Sequence, residues 1–277
     1  MRTYLRKIKS ILSRESDSDN SLKLPDDRYK AVKKSDLLPV SVCIPSYEMY
    51  GQGAIHLGRS LEALSAQSWK NFEVIVSDHS ESDLIKNCCE VFDSKLNINY
   101  LRNTENRGSS CENANNALNH AKNPLIRFLF QDDFLADDSA MERAGKYFAW
   151  TGASWMATGC NHRDDSDGRI VHNHYPEFRK DQLFEAINTL GCPSVIMLKK
   201  NDLRFDRRLP ALMDLDYYHK LFELFGEPAV FNDINTTIGV HAGQVTNNGG
   251  FEDKVQVRKE LDIVASKYNK ISKPIVL

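Results

Sequence analysis

Long apolar runs are missing from this sequence. No stretch of about 18 consecutive apolar residues occurs, so no segment reads as a transmembrane helix. Charge of one sign is missing too. With 36 basic against 38 acidic residues the formal net charge is -2, and no bulk field marks a nucleic-acid binder. The six cysteines, Cys43, Cys88, Cys89, Cys111, Cys160 and Cys192, include no C-x-x-C pair, and no secretory apolar segment precedes them. That usage predicts reduced thiols in a cytoplasmic protein and argues against a disulfide framework. Internal repeats are absent as well. What remains is a chain of 277 residues, enough to bury one large core.

The first 14 residues place Tyr4, Leu5, Ile8, Ile11 and Leu12 on one face of a helix and Arg2, Arg6, Lys7, Lys9 and Arg14 on the other. This pattern suits a helix lying on an anionic membrane surface, and equally one packed on its own domain. It allows peripheral contact at the inner face of a membrane through residues 1–14. Residues 15–37 are polar and read as a linker with at most short structure. The domain reading is therefore an amphipathic segment and linker over 1–37, a main domain over 38–250, and a C-terminal helix or tail over 251–277. Within the main domain, 38–138 and 139–250 read as two halves.

From Leu38 the texture changes. PVSVCIP ends at Pro45 and FEVIVSD spans Phe72 to Asp78; Asn97 to Leu101 and Pro124 to Phe130 complete four short runs of strand character. Helical patterns separate them at Gly58–Ser68, Asp83–Phe92 and Ser109–Ala121. Alternation of this kind predicts βαβ units and a Rossmann-like, mostly parallel sheet flanked by helices, since parallel strands need crossovers. The second half is less regular. It reads as a helix at Met141–Trp150, a hairpin across Ala157–Tyr175 turning at Asp167-Gly168, and a helix at Asp181–Leu190. A strand at PSVIMLKK and helices at Leu212–Phe225 and Val255–Tyr268 follow.

In open parallel sheets, ligands bind outside the carboxyl ends of the strands. Polar clusters stand at three such ends: Ser46-Tyr47-Glu48, Asp78-His79-Ser80 and Gln131-Asp132-Asp133. Any one of them could be a turn or a helix cap; their recurrence points to a ligand. Adjacent carboxylates at Asp132 and Asp133 repel unless a cation or hydrogen bonds offset the charge. A hard divalent ion sharing phosphate oxygens would supply that offset, and a solvated helix cap is the other reading.

Taken in order, VSVCIPSYE, FEVIVSDHSESD, NRGSSCENANNAL and IRFLFQDDFL resemble glycosyltransferase family 2, strongly over Pro39–Asp138 and more loosely to Thr246. The resemblance implies the GT-A fold with a smaller acceptor-side subregion. It also implies inverting transfer of a sugar from a nucleoside diphosphate sugar, UDP-linked by preference, to a hydroxyl of a saccharide or lipid-linked acceptor in surface glycan synthesis. Pro45, Ser46, Tyr47 and Glu48 fall on the family's first motif and would line base and ribose, with Glu48 replacing the usual asparagine. Asp78 takes the base-contacting place, His79 stands where a second aspartate is frequent, and Arg107 takes a basic position near base or diphosphate. The metal motif Asp-x-Asp falls on Phe130, Gln131 and Asp132. Its first aspartate is missing, Asp132 is left as the ligand for Mn2+ or Mg2+, and Asp133 is auxiliary or a ribose contact.

LMDLDYYHKL resembles the family's acidic helix start, with Met213 in the glutamate place. The resemblance makes Asp214 the proton acceptor and Asp216 the alternate, since the two point in different directions on a helix. The dipole of a helix start favours both as ordinary first-turn acids as well. IGVHAGQVTNN resembles a stretch whose histidine reaches metal or diphosphate, making His241 a candidate ligand beside Asp132. His162, His172 and His174 read as strand-face histidines or acceptor contacts in preference to a zinc site. Cys192-Pro193-Ser194 falls on the acceptor wall. Two rival readings stand beside the transferase. One is a non-catalytic binding protein on a decayed transferase fold. The other is a sugar nucleotidyltransferase, for which the place after the first strand, SYEMYGQG, lacks the expected basic residue.

Overall fold

Val40–Ser46 is buried at every position and forms the central strand β1, as expected of an apolar run with a neighbour on each side. The computed structural model describes residues 27–242 and 254–268; the amphipathic pattern at 1–14 lies outside them. From β1 the chain continues through α1 (Gly53–Ser65), β2 (Phe72–Asp78), α2 (Leu84–Phe92), β3 (Ile98–Arg102), α3 (Ser110–His120) and β4 (Leu125–Phe128). Strands β3, β2, β1 and β4 lie in that order and are parallel throughout. The predicted βαβ half is present, with element ends moved by a few residues. Helix α1 starts five residues before the expected Gly58, because Gly53 lies against the preceding loop. A Cβ there would sit 1.9 Å from the Tyr47 carbonyl oxygen.

The second half departs from parallel pairing. It comprises β5 (Phe134–Leu135), α4 (Ala140–Thr151), β6 (Trp155–Asp164), β7 (Ile170–His174), α5 (Lys180–Phe184), β8 (Ile196–Lys199), α6 (Met213–Phe225), β9 (Ala229–Val240) and α7 (Lys254–Tyr268). Beyond β4 the sheet runs β8, β6, β9, β5, with β7 paired to β6; among the described residues of this half only the β6–β9 pair is parallel. Strand β9 escapes a reading by alternation for a physical reason. Its register against β6 jumps from Thr158↔Phe231 to Gly159↔Ile234 and then to Cys160↔Thr236, so extra residues break the two-residue period. The helix expected at Asp181–Leu190 stops at Phe184. The Asn188 side chain accepts from the N–H groups of Leu190 and Gly191, turning the chain instead.

Helices cover both faces. Leu57, Leu61 and Leu64 of α1, Ile85 of α2 and Met141 and Phe148 of α4 pack on Val42, Ile44 and Val74. On the other face Ala114 and Leu118 of α3, Leu215, Tyr217 and Leu221 of α6 and Val264 of α7 pack with Cys43, Ile75 and Phe128. Residues 27–37 form two short 3-10 turns, and Leu37 is buried in van der Waals reach of Gly145 on α4. Among the described residues no helix is long and apolar enough to cross a membrane.

The β6–β7 hairpin brings the three histidines onto one face. The His162 and His172 rings stack at 4.0 Å, and burial, followed by the charges of His172 and His174, pushes His162 down to about 4. In the unfolded chain His162 takes a proton below about pH 6.5, whereas the folded chain refuses it until about pH 4. Within that window the unfolded state binds more protons, so stability falls as pH is lowered. In urea denaturation His162→Gln should lessen the loss of stability between pH 6.5 and 4 by about 2–3 kcal/mol, the remainder belonging to the other histidines that burial holds down. An unchanged acid slope in that variant would assign the loss to other groups.

Candidate active site

The carboxyl ends of β1, β2 and β4 meet on one rim of the sheet. Pro45 is buried opposite Ser77, and the Ser46 carbonyl accepts from His79 N at 3.0 Å and Asn113 Nδ2 at 2.9 Å. Tyr47 N donates to Gln131 Oε1 at 2.7 Å, which ties the first motif to the fourth, while the Tyr47 side chain stays exposed. Hydrogen bonds from Ser82 hold the Glu48 carboxyl below its ordinary value. Asp78 is wholly buried. Its oxygens accept from Ser80 N at 2.8 Å and Tyr100 Oη at 2.7 Å, with Arg102 Nε 3.5 Å away. His79 is buried too, its Nε2 2.8 Å from Asn103 Nδ2. Arg107 is exposed and paired with Glu81 at 2.9 Å.

Gln131-Asp132-Asp133 is fixed from three sides. From α1, the Ser60 hydroxyl sits between the carbonyl oxygens of Gln131 and Asp133, and Arg59 Nη2 donates to the Asp132 carbonyl at 2.9 Å. From the turn before β8, Ser194 Oγ donates to Asp133 Oδ2 at 2.5 Å; from β9, Gly239 N reaches Asp133 Oδ1 at 3.3 Å. Burial, and next the Asp132 charge, push Asp133 well above the usual carboxylate range. Asp133 is thus a buried anchor and Asp132 the more open carboxylate.

Asp132 Oδ2 lies 3.1 Å from His241 Nε2, just past the end of β9. The His241 ring stacks on His56 of α1 at 4.5 Å, and His56 Nδ1 is 3.4 Å from Asp165 Oδ2. Arg59 and Arg163 both pair with Asp165. His56, Arg59 and Asp165 were not predicted for the site; the spacing of His56 and Arg59 on one helix face is the only signal in the sequence. Among the described residues no group of three or more His, Cys, Asp or Glu side chains forms a metal cage. Asp132 and His241 are a two-donor set. Such a set fits a divalent ion that takes its remaining oxygens from a diphosphate and water, as Mg2+ and Mn2+ commonly do.

Asp214 opens α6. Its Oδ2 accepts from Asn188 Nδ2 at 2.6 Å and its Oδ1 from Leu215 N at 2.7 Å, while burial raises it above the ordinary carboxylate value. Asn188, also absent from the sequence prediction, donates in addition to the Gly191 carbonyl. Cys192 Sγ, one residue on, lies 3.9 Å from Asp133 Oδ2. The segment Asn188–Ser194 therefore links the carboxylate of Asp214 to that of Asp133. Burial pushes the Cys192 thiol up, which keeps it from acting as a nucleophile. Asp216 points elsewhere. It is wholly buried, with Lys267 Nζ and Lys220 Nζ each at 2.7 Å and Tyr268 Oη at 2.8 Å.

A family model described as Glycosyl transferase family 2 matches residues 41–204, more than half of the chain. The chain belongs to that family. Among solved structures, S. aureus TarS 1-349 in complex with UDP-GlcNAc superposes with a TM-score of 0.68 at 17% identity, over 86% of this glycosyltransferase and 68% of TarS 1-349. Against the longer S. aureus TarS structure the TM-score is 0.63 at 15% identity, and the match spans 86% of this chain but only 41% of that one. The mannosyltransferase PcManGT from Pyrobaculum calidifontis, in complex with GDP-Man and Mn2+, gives 0.58 at 16% identity, over 98% of this chain and 72% of PcManGT. No curated protein matches in sequence. These likenesses concern the fold, and they agree with the GT-A architecture expected from the motifs.

Gly239 tests how tightly the rim is built. A Cβ there would sit 2.5 Å from the Asp132 carbonyl oxygen and 2.9 Å from Arg59 Nη2. Gly239→Ala should lower stability by about 1–3 kcal/mol in urea denaturation through overpacking. A variant as stable as the parent would mean that the Asp132 turn gives way freely.

Proposed function

We propose that this glycosyltransferase carries out metal-assisted, inverting transfer of a sugar from a nucleoside diphosphate sugar, UDP-linked by preference, to a hydroxyl of a saccharide or lipid-linked acceptor in surface glycan synthesis. The single observation that carries the reading is the Asp132–His241 pair, 3.1 Å apart at the carboxyl end of β4. Residues 38–138 form the donor half and 139–250 the acceptor half. Pro45, Ser46, Tyr47, Glu48, Asp78 and Arg107 surround base and ribose, Asp78 through the Ser80 turn and Tyr100 that it holds. Gln131 ties that wall to the Asp132 turn.

Asp132 and His241 would hold the divalent ion, Mn2+ or Mg2+, whose charge would offset that of the departing diphosphate. Asp214 accepts the proton of the acceptor hydroxyl as that oxygen bonds to the anomeric carbon; the bond to the diphosphate oxygen breaks on the opposite face. Burial favours the protonated form of Asp214, which makes its carboxylate the stronger base, and Asn188 and the Leu215 N–H fix its two oxygens in direction. Asp216 serves as a buried anchor for α6. The basic pattern at 1–14 supports a lipid-linked acceptor met at the inner membrane face.

Thermal-shift titration with UDP-N-acetylglucosamine, UDP-glucose and GDP-mannose, each with Mn2+, with Mg2+ and with chelator, tests the donor site. Metal-dependent stabilisation by one of them, lost in Asp132→Ala, is expected. Failure of every member to bind folded protein would leave a non-catalytic binding protein as the better description.

For the base, Asp214→Asn should lower turnover by about 10²- to 10⁴-fold while donor affinity stays within about threefold. Undiminished turnover in that variant would remove Asp214 from the role.

A further inference from the structure

Helix α6 begins without a cap of its own. Leu212 occupies the N-cap place, and its side chain has no oxygen to offer the backbone. The acceptor comes from far along the chain. Glu260 Oε2 takes hydrogen bonds from Ala211 N at 3.0 Å and Leu212 N at 2.9 Å, while its Oε1 accepts from Gln256 Nε2 at 2.9 Å. Glu260 is wholly buried on α7, where a carboxylate is tolerable because it meets N–H donors at the positive end of a helix. A second attachment lies one turn further on. Lys267 and Tyr268 of α7 bind Asp216 at 2.7 and 2.8 Å, and Lys267 also pairs with Asp206.

These attachments fall at Leu212 and Asp216, two residues before and two after Asp214. The side-chain direction at a helix start follows the backbone that carries it, and there the backbone is held by α7 on both sides. Asn188, outside both helices, binds the Asp214 carboxylate itself at 2.6 Å. We infer that Glu260 is a positioning residue for the transfer reaction: through the entrance of α6 it sets the direction of the Asp214 carboxylate. The inference rests on the proposed role of Asp214 as proton acceptor.

The test uses the full chain and the three variants Glu260→Ala, Glu260→Gln and Glu260→Asp. Turnover is read as nucleoside diphosphate release from whichever panel sugar the parent hydrolyses fastest, donor affinity by thermal shift, and backbone opening by amide hydrogen exchange at Ala211 and Leu212. Glu260→Ala should lower kcat at least about tenfold with donor affinity unchanged, because an ångström of misplacement suffices for that loss. Exchange at the two amides should rise. Glu260→Gln keeps a carbonyl acceptor in place and should recover most of kcat. If Glu260→Ala does not fold, Glu260→Asp, which withdraws the carboxylate by one methylene, carries the same expected loss. Parental kcat in either of these folded variants, or equal loss of kcat and donor affinity, overturns the positioning role. Failure of every panel donor to bind the folded parent sinks the proposed function instead, and exchange at Ala211 and Leu212 then still reports whether Glu260 clamps the helix.

Discussion

The turn that follows β4 has to hold two neighbouring carboxylates at the end of a buried strand. Like charges in sequence are tolerable there only if one is removed from the contest, and the fold achieves this by burying Asp133 against Ser194 and the Gly239 amide. Asp132 is left facing outward toward His241. Each surrounding element is placed by that requirement. Helix α1 supplies Ser60 and Arg59 to the turn's carbonyls, the turn before β8 supplies Ser194, and β9 passes close enough that only glycine fits at 239. Were the turn to relax, the first motif would lose its bond from Tyr47 to Gln131, and Asn188–Ser194 its seat against Asp133.

The parallel half was legible in the sequence because buried strands such as Val40–Ser46 advertise themselves as unbroken apolar runs, and crossovers as periodic helices. Strand β9 was not, since its bulges against β6 scramble alternation. The short α5 was misjudged for a different reason: an asparagine side chain, invisible to periodicity, ends it. In the site, acids at strand and helix ends could be picked out by position alone, and the Asp132–His241 approach followed from matching motifs. Asp165, Asn188 and Glu260 could not be found that way. Each acts on a partner dozens of residues away in the sequence, and nothing local distinguishes it from an ordinary loop or helix residue.

Asp214 and Asp216 illustrate how packing divides labour between like residues. Both stand in the first turn of α6, where a helix dipole favours acids. The two-residue offset turns one toward Asn188 and the other into the contact with α7. The stretch matched by the family model ends at residue 204, short of both; beyond it Asp214 is held by Asn188 and the entrance of the helix by Glu260 of α7.

Asp132 and His241 are 109 positions apart. A growing polypeptide has the whole of β1 to β4 in hand long before His241 is joined to it, and pairings between such distant segments are slow to form. Synthesis order therefore keeps a half-made chain from assembling the Asp132 pair at all. The pair is completed only once β9 and the residue that follows it have been added, so the rim of the sheet closes on a scaffold already in place.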